Sequence, residues 1–382
     1  MTERHLHLKA KARIIRPLFA ALGVCILACS LSCSRKDDSG RVSRQSISFD
    51  RSSVDIHPLF RVRQQVDLET TRNSLVSFPF DMCINGGKVF IASRASTIKV
   101  FTLKGEFVRT IGGLGDGPGE YRWIVALFNV GSDRIGVYDS NNLRLSVYTT
   151  DGEYLWGKRF ALPGVVSIRS IEYNDGRFYF HVPATQKRPF YLTITDSSLN
   201  VIHECVPASF EYKGYFYFNL FHGSIVIDAS RGKAYETNCF SYKPTEVDLK
   251  TWQTREINLP KPAFFRPIPP YYDDINSRIE RATNSFRQGT DTFKSFLLQD
   301  RYLVAEFLDQ HGSAVVDPLF VVLDLSTGRS YTASDNRAIP NYSDGKYLYD
   351  LFYSGRSPTS EEDDYVRNPR LIVYELIEPP QK

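Results

Sequence analysis

A unit that occurs twice in close copy constrains this chain more than any other feature. The first copy runs through Gly87-Lys88-Val89-Phe90-Ile91-Ala92-Ser93 and then Ile98 to Arg109, with Lys104-Gly105-Glu106 as its second turn. The second runs through Arg134-Ile135-Gly136-Val137-Tyr138-Asp139-Ser140 and then Leu145 to Leu155, offset by 46 residues in its first half and 47 in its second. Short runs of Val, Ile, Phe and Tyr bounded by Gly, Asn and Asp read as strands, and a repeat of this length is that of a propeller blade. Weaker copies keep the first turn: Asn85-Gly86-Gly87, Gly131-Ser132-Asp133, Asn174-Asp175-Gly176, His222-Gly223, Gln299-Asp300 and Ser343-Asp344-Gly345. Asn, Asp and Gly tolerate the positive φ that tight hairpins require. Six turns predict an all-β, six-bladed propeller of four-stranded antiparallel blades over residues 47–382.

The spacing breaks once, between Gly223 and Asp300, and predicts an insertion over about 260–294, between blades four and five. Its first half, Pro260 to Tyr272, carries too many prolines for a central strand. Asp273 and Asp274 then cap a helix with Ile275, Ile279, Ala282 and Phe286 on one face, ending near Gly289. The last unit supplies strands around Lys346–Phe352 and Pro369–Leu376 and stops one outer strand short. Residues 59–68 precede the first unit and have strand composition, so they are expected to fill the vacancy and leave no open edge.

The N-terminus differs in kind. Arg4, Lys9, Lys11, Arg13 and Arg16 precede an uncharged run from Pro17 to Leu31, the pattern of a secretory signal and too short for a comfortable membrane span. Residues 34–46 are polar and read as a flexible tether. Of 47 basic and 43 acidic residues, five and one lie in residues 1–28, so the remainder is neutral with 42 of each. That balance leaves nucleic-acid binding no electrostatic footprint. Cys83, Cys205 and Cys239, an odd number with no C-x-x-C, do not suggest a disulfide framework.

The stretch Ile26-Leu27-Ala28-Cys29-Ser30-Leu31-Ser32-Cys33 resembles the lipobox of bacterial lipoproteins. Cys29 has the better upstream residues. Cys33 is followed by Ser34-Arg35-Lys36-Asp37-Asp38, similar to the Lys-Asp-Asp tag that sends some lipoproteins to the outer cell surface, and is preferred as the lipidation site, with Cys29 as the alternative. Residues 100–121, ending in Gly112-Gly113-Leu114-Gly115-Asp116-Gly117-Pro118-Gly119-Glu120-Tyr121, resemble an NHL-type repeat. The whole arrangement resembles the six-bladed β-propeller lipoproteins of bacteria, most closely over about residues 78–160, and later in period and in the closing segment 368–376. The resemblance implies the propeller fold and a cell-envelope location on the outer membrane, with the membrane met through the lipid, and no particular activity.

No motif outweighs that reading. Residues 112–119 lack the Gly-Lys-Ser/Thr ending of a P-loop and no helix pattern follows, so an inter-blade turn is expected. His57, His181, His203, His222 and His311 are isolated, without H-x-x-x-H or H-E-x-x-H spacing. No Gly-x-Ser-x-Gly elbow occurs. Glu361-Glu362-Asp363-Asp364 lacks calcium-loop spacing and reads as a solvated loop. Some related propellers are metal-dependent lactonases or lyases with ligands on inner strands, and Asp81, Asn85, Asp139, Glu172, Asn219 and Asp350 are the residues placed to point into a central tunnel. The aromatic run from Phe210 to Phe221 leads into the fourth blade and is read mainly as core. Phe264, Phe265, Tyr271 and Tyr272 lie outside the blade repeat among prolines and are the candidate partner-binding surface. The expected function is an envelope binding or scaffolding module for a protein, peptide or glycan, with no cofactor. The alternative is a metal-dependent hydrolase or lyase at the tunnel.

Overall fold

The computed structural model describes residues 59–93, 96–163, 165, 168–185, 187–218, 220–272, 279–309, 318–334, 340–352 and 368–377. They form six four-stranded antiparallel sheets. Each begins with an innermost strand: Pro79–Asn85, Ile124–Asn129, Ser170–Asn174, Gly223–Asp228, Thr290–Leu298 and Tyr342–Ser343, in blades one to six. Every innermost strand touches those of both neighbours, which closes the ring of a six-bladed propeller.

Closure follows the sequence argument. Phe60–Asp67 is the outer strand of blade six, paired antiparallel with Arg370–Leu376 from Phe60↔Leu376 to Asp67↔Arg370, with a bulge between Val62 and Gln64. Asn368 ties the two ends of the chain together. Its side chain accepts a hydrogen bond from the Val76 N–H (2.7 Å) and donates to the Glu69 and Ser74 carbonyls (2.6 and 3.0 Å). No edge is left unpaired between first and last blade.

Because strands alternate in direction, the turns after the first and third strands of each blade lie on one face of the ring and the connections between blades on the other. Turns such as 86–87, 103–106, 175–176 and 325–329 occupy one face. The other, where innermost strands begin, carries the Gly-rich connection 112–123, the segment 208–222 and the insertion. In the Gly-rich connection Gly112 has φ +78, and a Cβ there would stand 2.6 Å from the Tyr121 ring, so only glycine fits. It is the inter-blade turn expected, knotted by Tyr121 N–H to Gly113 O (2.8 Å) and by the Arg122–Asp116 ion pair.

Apolar side chains from facing sheets interdigitate at most seams. Met82, Ile84 and Val89 of blade one meet Leu351, Leu371 and Val373 of blade six. Cys83, Phe90 and Val100 meet Ile124, Leu127 and Ile135 of blade two. The seam between blades four and five is held by hydroxyls. Ser295 Oγ lies 2.8 Å from Ser224 Oγ, its N–H donates to that oxygen (2.8 Å), and Thr237 Oγ1 donates to Ser295 Oγ (3.1 Å).

Two expectations shift. The first turn of blade four is at residues 229–232, not His222-Gly223, because the aromatic run before it folds as a 3-10 turn (Phe210–Tyr212) and a short helix α1 (Lys213–Tyr217). Gly223 instead opens the strand at φ +133. The insertion ends at residue 289, because Thr290–Lys294, polar in sequence, are already strand. Thr290 and Asp291 are buried there, and the Thr290 hydroxyl donates to the Phe264 carbonyl (3.2 Å). Helix α2 (Ile279–Phe286) buries Ala282 and Phe286, the face expected of it.

Candidate functional site

Carboxylates gather where the innermost strands converge. Asp81 stands near the start of its strand, and its Oδ2 accepts the Leu127 N–H of blade two at 2.9 Å. Desolvation raises its pKa, the Lys294 ammonium of blade five partly offsetting this. Glu172, on the inner strand of blade three, is pushed up to about 8 by burial and then by the Asp81 charge. Burial raises Glu306 of blade five to about 8 as well; Lys294 works against the shift, Asp350 and Asp291 with it. Burial thus favours the protonated form of both Glu172 and Glu306. Toward the face of short turns the Tyr342 hydroxyl of blade six donates to the Ile84 carbonyl (3.3 Å) and accepts from Asn129 Nδ2 (2.9 Å). Blades one, two and six are thereby tied at that end.

At the opposite end lies a cavity of about 320 Å³ in the seam between blades six and one, lined by Pro79, Phe80, Asp81, Asn341, Asp350 and Phe352 among others. Among the described residues, the inner strand of blade six pairs with its neighbour through Tyr342 and Ser343. The next strand, Leu348–Phe352, fronts the cavity in its place. Asn341 shapes the wall: its side chain accepts the Leu351 N–H (3.0 Å), and its carbonyl accepts from Lys294 Nζ (3.1 Å). Phe80 and Phe352 are 38% and 47% exposed, large values for phenylalanine. Phe80 packs on Trp123 at 5.0 Å. Phe78 beside them is also exposed and has φ +49, a conformation that a bulky residue adopts only when its surroundings impose it. The result is an acidic recess with an apolar rim.

Residues 51–247 match the family model of a domain of unknown function, DUF4934. The chain belongs to the DUF4934 family. No curated protein matches its sequence. Among solved structures it is similar to a Bacteroides fragilis protein classed as exported, with 16% identity and a TM-score of 0.55 over 84% of this chain and 96% of that one. A DUF4221 family member from Bacteroides vulgatus is similar at 13% identity and TM-score 0.55, over 83% of this chain and 97% of that one. At such identities the likeness is one of fold.

In this DUF4934 propeller the expected tunnel residues divide. Asp81 and Asp350 line one recess, and Glu172 lies near enough to Asp81 for the Asp81 charge to raise its pKa. Asn85 instead donates to the Gly131 and Arg134 carbonyls (both 2.9 Å), stapling blade one to the turn of blade two. Asp139 is buried accepting the N–H groups of Arg122, Asn141 and Asn142 (2.6, 2.9 and 3.0 Å). Among the described residues no three of His, Cys, Asp and Glu stand where they could hold a metal ion. His181 is buried against Glu236 (2.9 Å), His222 Nδ1 pairs with Asp291 (2.6 Å), and His203 stacks on Trp252. Cys83, Cys205 and Cys239 are buried free thiols. Asn219, His57, His311, Glu361–Asp364, Cys29 and Cys33 lie outside the described residues.

The aromatic residues of the insertion divide as well. Phe264 and Phe265 are buried at 3% and 5%, both against Phe307 of blade five, and Phe265 also meets Tyr242 of blade four. Tyr271 stacks on Tyr215 of α1. Tyr272 alone of the four is open, at 61%. Phe264 and Phe265 are thus interior residues that cover the polar seam beneath them, and Tyr271 is half-buried. Lys294, Glu306 and the Phe80–Phe352 rim escaped the sequence reading. A lone Glu306 within Tyr302-Leu303-Val304-Ala305-Glu306-Phe307-Leu308 was the available signal.

Proposed function

We propose that this DUF4934 protein is an exported, lipid-anchored envelope protein of the outer membrane, related to NHL-type propellers, that acts as a binding module for a protein, peptide or glycan. Its ligand is taken at the recess between blades six and one. The observation that carries this is the recess itself, where exposed phenylalanines surround carboxylates on the face that also bears the long connections. Apolar rims with a few convergent polar groups are the usual form of a ligand site. Export is supported by the basic and then apolar residues 1–31, and by a protein of similar fold classed as exported. Cys33, with Cys29 as alternative, is the acylated residue.

Two measurements test the reading. Mass spectrometry of the processed N-terminus is expected to find an acylated Cys33 or Cys29; cleavage elsewhere without acylation removes the anchor. The full-length protein is expected to retain a defined envelope component that a folded Phe80→Ser, Phe352→Ser variant, only slightly less stable than the wild type, no longer retains. Equal retention by that folded variant overturns the placement of the site.

A further inference from the structure

A closed ring still leaves the outer strand of each blade as a sheet edge, and these edges differ in how their charge is balanced. In blade three, Val201–Pro207, Glu204 pairs with Arg188 (2.6 Å). In blade four, Thr254–Glu256, Arg255 pairs with Glu246 (3.2 Å) and Glu256 with Lys243 (2.7 Å). In blade six, Arg61 pairs with Glu375 and Asp67 with Arg370, both at 2.7 Å. The outer strand of blade five, Ser330–Ser334, has no charged residue. In blade one, Arg109 donates to the Asp151 carbonyl and the Phe107 N–H is taken by the Glu69 carboxylate (2.9 Å).

Blade two is the exception. Its outer strand, Tyr154–Arg159, exposes five of its six residues, among them Tyr154 and Leu155. No strand among the described residues pairs with its outer side. The Phe160 N–H donates inward to the Leu143 carbonyl (2.7 Å), so alternation turns the N–H groups of Gly157 and Arg159 outward. Arg159 stands directly across from Arg144, and like charges so placed are unfavourable. Arg144 turns its guanidinium to the Gly117 and Asp116 carbonyls (2.6 and 2.8 Å), whereas Arg159 has no ion-pair partner among the described residues. At the other end of the strand Glu153 has none either. The edge is therefore acidic where it starts and basic where it ends, with apolar side chains between.

Such an edge is complementary to its own reverse. We propose that it joins two copies of the chain, the strands Tyr154–Arg159 pairing antiparallel across a two-fold axis. That arrangement brings Glu153 of each copy to the Arg144 and Arg159 of the other, and symmetry makes the contact twice. Parallel pairing would set cation against cation. Exposed N–H and C=O groups find partners in the joined sheet, and Tyr154 and Leu155 lie along the joint. The recess between blades six and one takes no part.

Sedimentation equilibrium of the full-length protein in density-matched detergent tests it, and a monomer–dimer equilibrium is expected. Arg159→Glu and Glu153→Arg alter exposed side chains, and each is expected to weaken the dimer tenfold or more with thermal unfolding unchanged. The variant carrying both is expected to restore it, because the two charges then exchange places. A wild type that stays monomeric up to its solubility limit, a dimer that neither single substitution weakens, or a double variant no tighter than the single ones overturns the proposal. A monomeric wild type whose retention of an envelope component is lost in Arg159→Glu would assign the edge to another protein, and overturns it as well.

Discussion

Two seams of the same ring solve the same problem differently. Between blades six and one, Met82, Ile84 and Leu351 form an apolar interior below, and the described residues of the upper end enclose a recess. Between blades four and five the interior is a hydroxyl network around Ser295, and the upper end is roofed by the insertion. Phe265 spans the roof from Tyr242 to Phe307, and the Thr290 N–H to Arg266 O bond (2.8 Å) pins it to the inner strand. Packing aromatic rings over a polar seam restores the apolar burial that the strands lack. Exposed aromatic side chains at the other seam have no such role, and this is the reason for placing the ligand there and not on the insertion.

Serine at two pairs of phenylalanines would break the comparison most visibly. Phe264→Ser with Phe265→Ser removes two buried rings, and truncations of that kind cost about 3–5 kcal/mol each. The pair is therefore expected to unfold the ring or to lower its stability by roughly 5 kcal/mol or more. Phe80→Ser with Phe352→Ser, which removes half-exposed rings, is expected to cost only about 1 kcal/mol. Denaturant unfolding of both pairs checks this, and equal losses would erase the distinction between roof and rim.

That contrast also shows what sequence can carry. Blade number and the closing strand were readable because turn chemistry and strand composition are local, and the closing strand follows from counting. The burial of Phe264 and Phe265 was not legible because proline-rich aromatic sequence looks the same whether it covers a neighbour or faces solvent. Only the seam beneath, built from Ser224, Thr237 and Ser295 on separate strands, decides the matter. The recess had the opposite difficulty. Asp81, Glu172 and Asp350 could be picked as candidate tunnel acids, but Lys294 and Glu306 pair through a register that no local pattern states.

Glu306 sharpens the comparison on the acidic side. Its carboxyl titrates near 4.5 in the unfolded chain and is raised to about 8 in the folded one, with burial the leading cause. Between these values the folded state holds a proton that the unfolded state has lost. Stability is therefore fullest below about 4.5 and falls as pH rises toward about 8. Glu306→Gln, which cannot ionise, is expected to remove part of that fall and to be more stable than the wild type by roughly 1–3 kcal/mol at alkaline pH. Glu172, raised for the same first reason, keeps a residual slope. Thermal unfolding of both proteins from pH 5 to 9 measures it, and parallel curves would show that Glu306 is not desolvated as placed.

The smallest effect is expected at Tyr272, and it separates the two kinds of aromatic residue within the insertion itself. Tyr271 and Tyr272 are neighbours in sequence, yet Tyr271 N–H donates to the Glu211 carbonyl (2.8 Å) and its ring stacks on Tyr215 at 5.1 Å. Tyr272 leaves most of its ring in solvent. Replacing an exposed ring that fills no gap changes stability within about 0.5 kcal/mol. Tyr272→Ser is therefore expected to leave denaturant unfolding unaltered, while Tyr271→Ser loses the stack and about 1–2 kcal/mol with it. Ligand retention by Tyr272→Ser is expected to equal that of the wild type, because the recess is lined by residues of blades six and one. Loss of retention with unchanged stability would move the ligand site from the open seam to the roof.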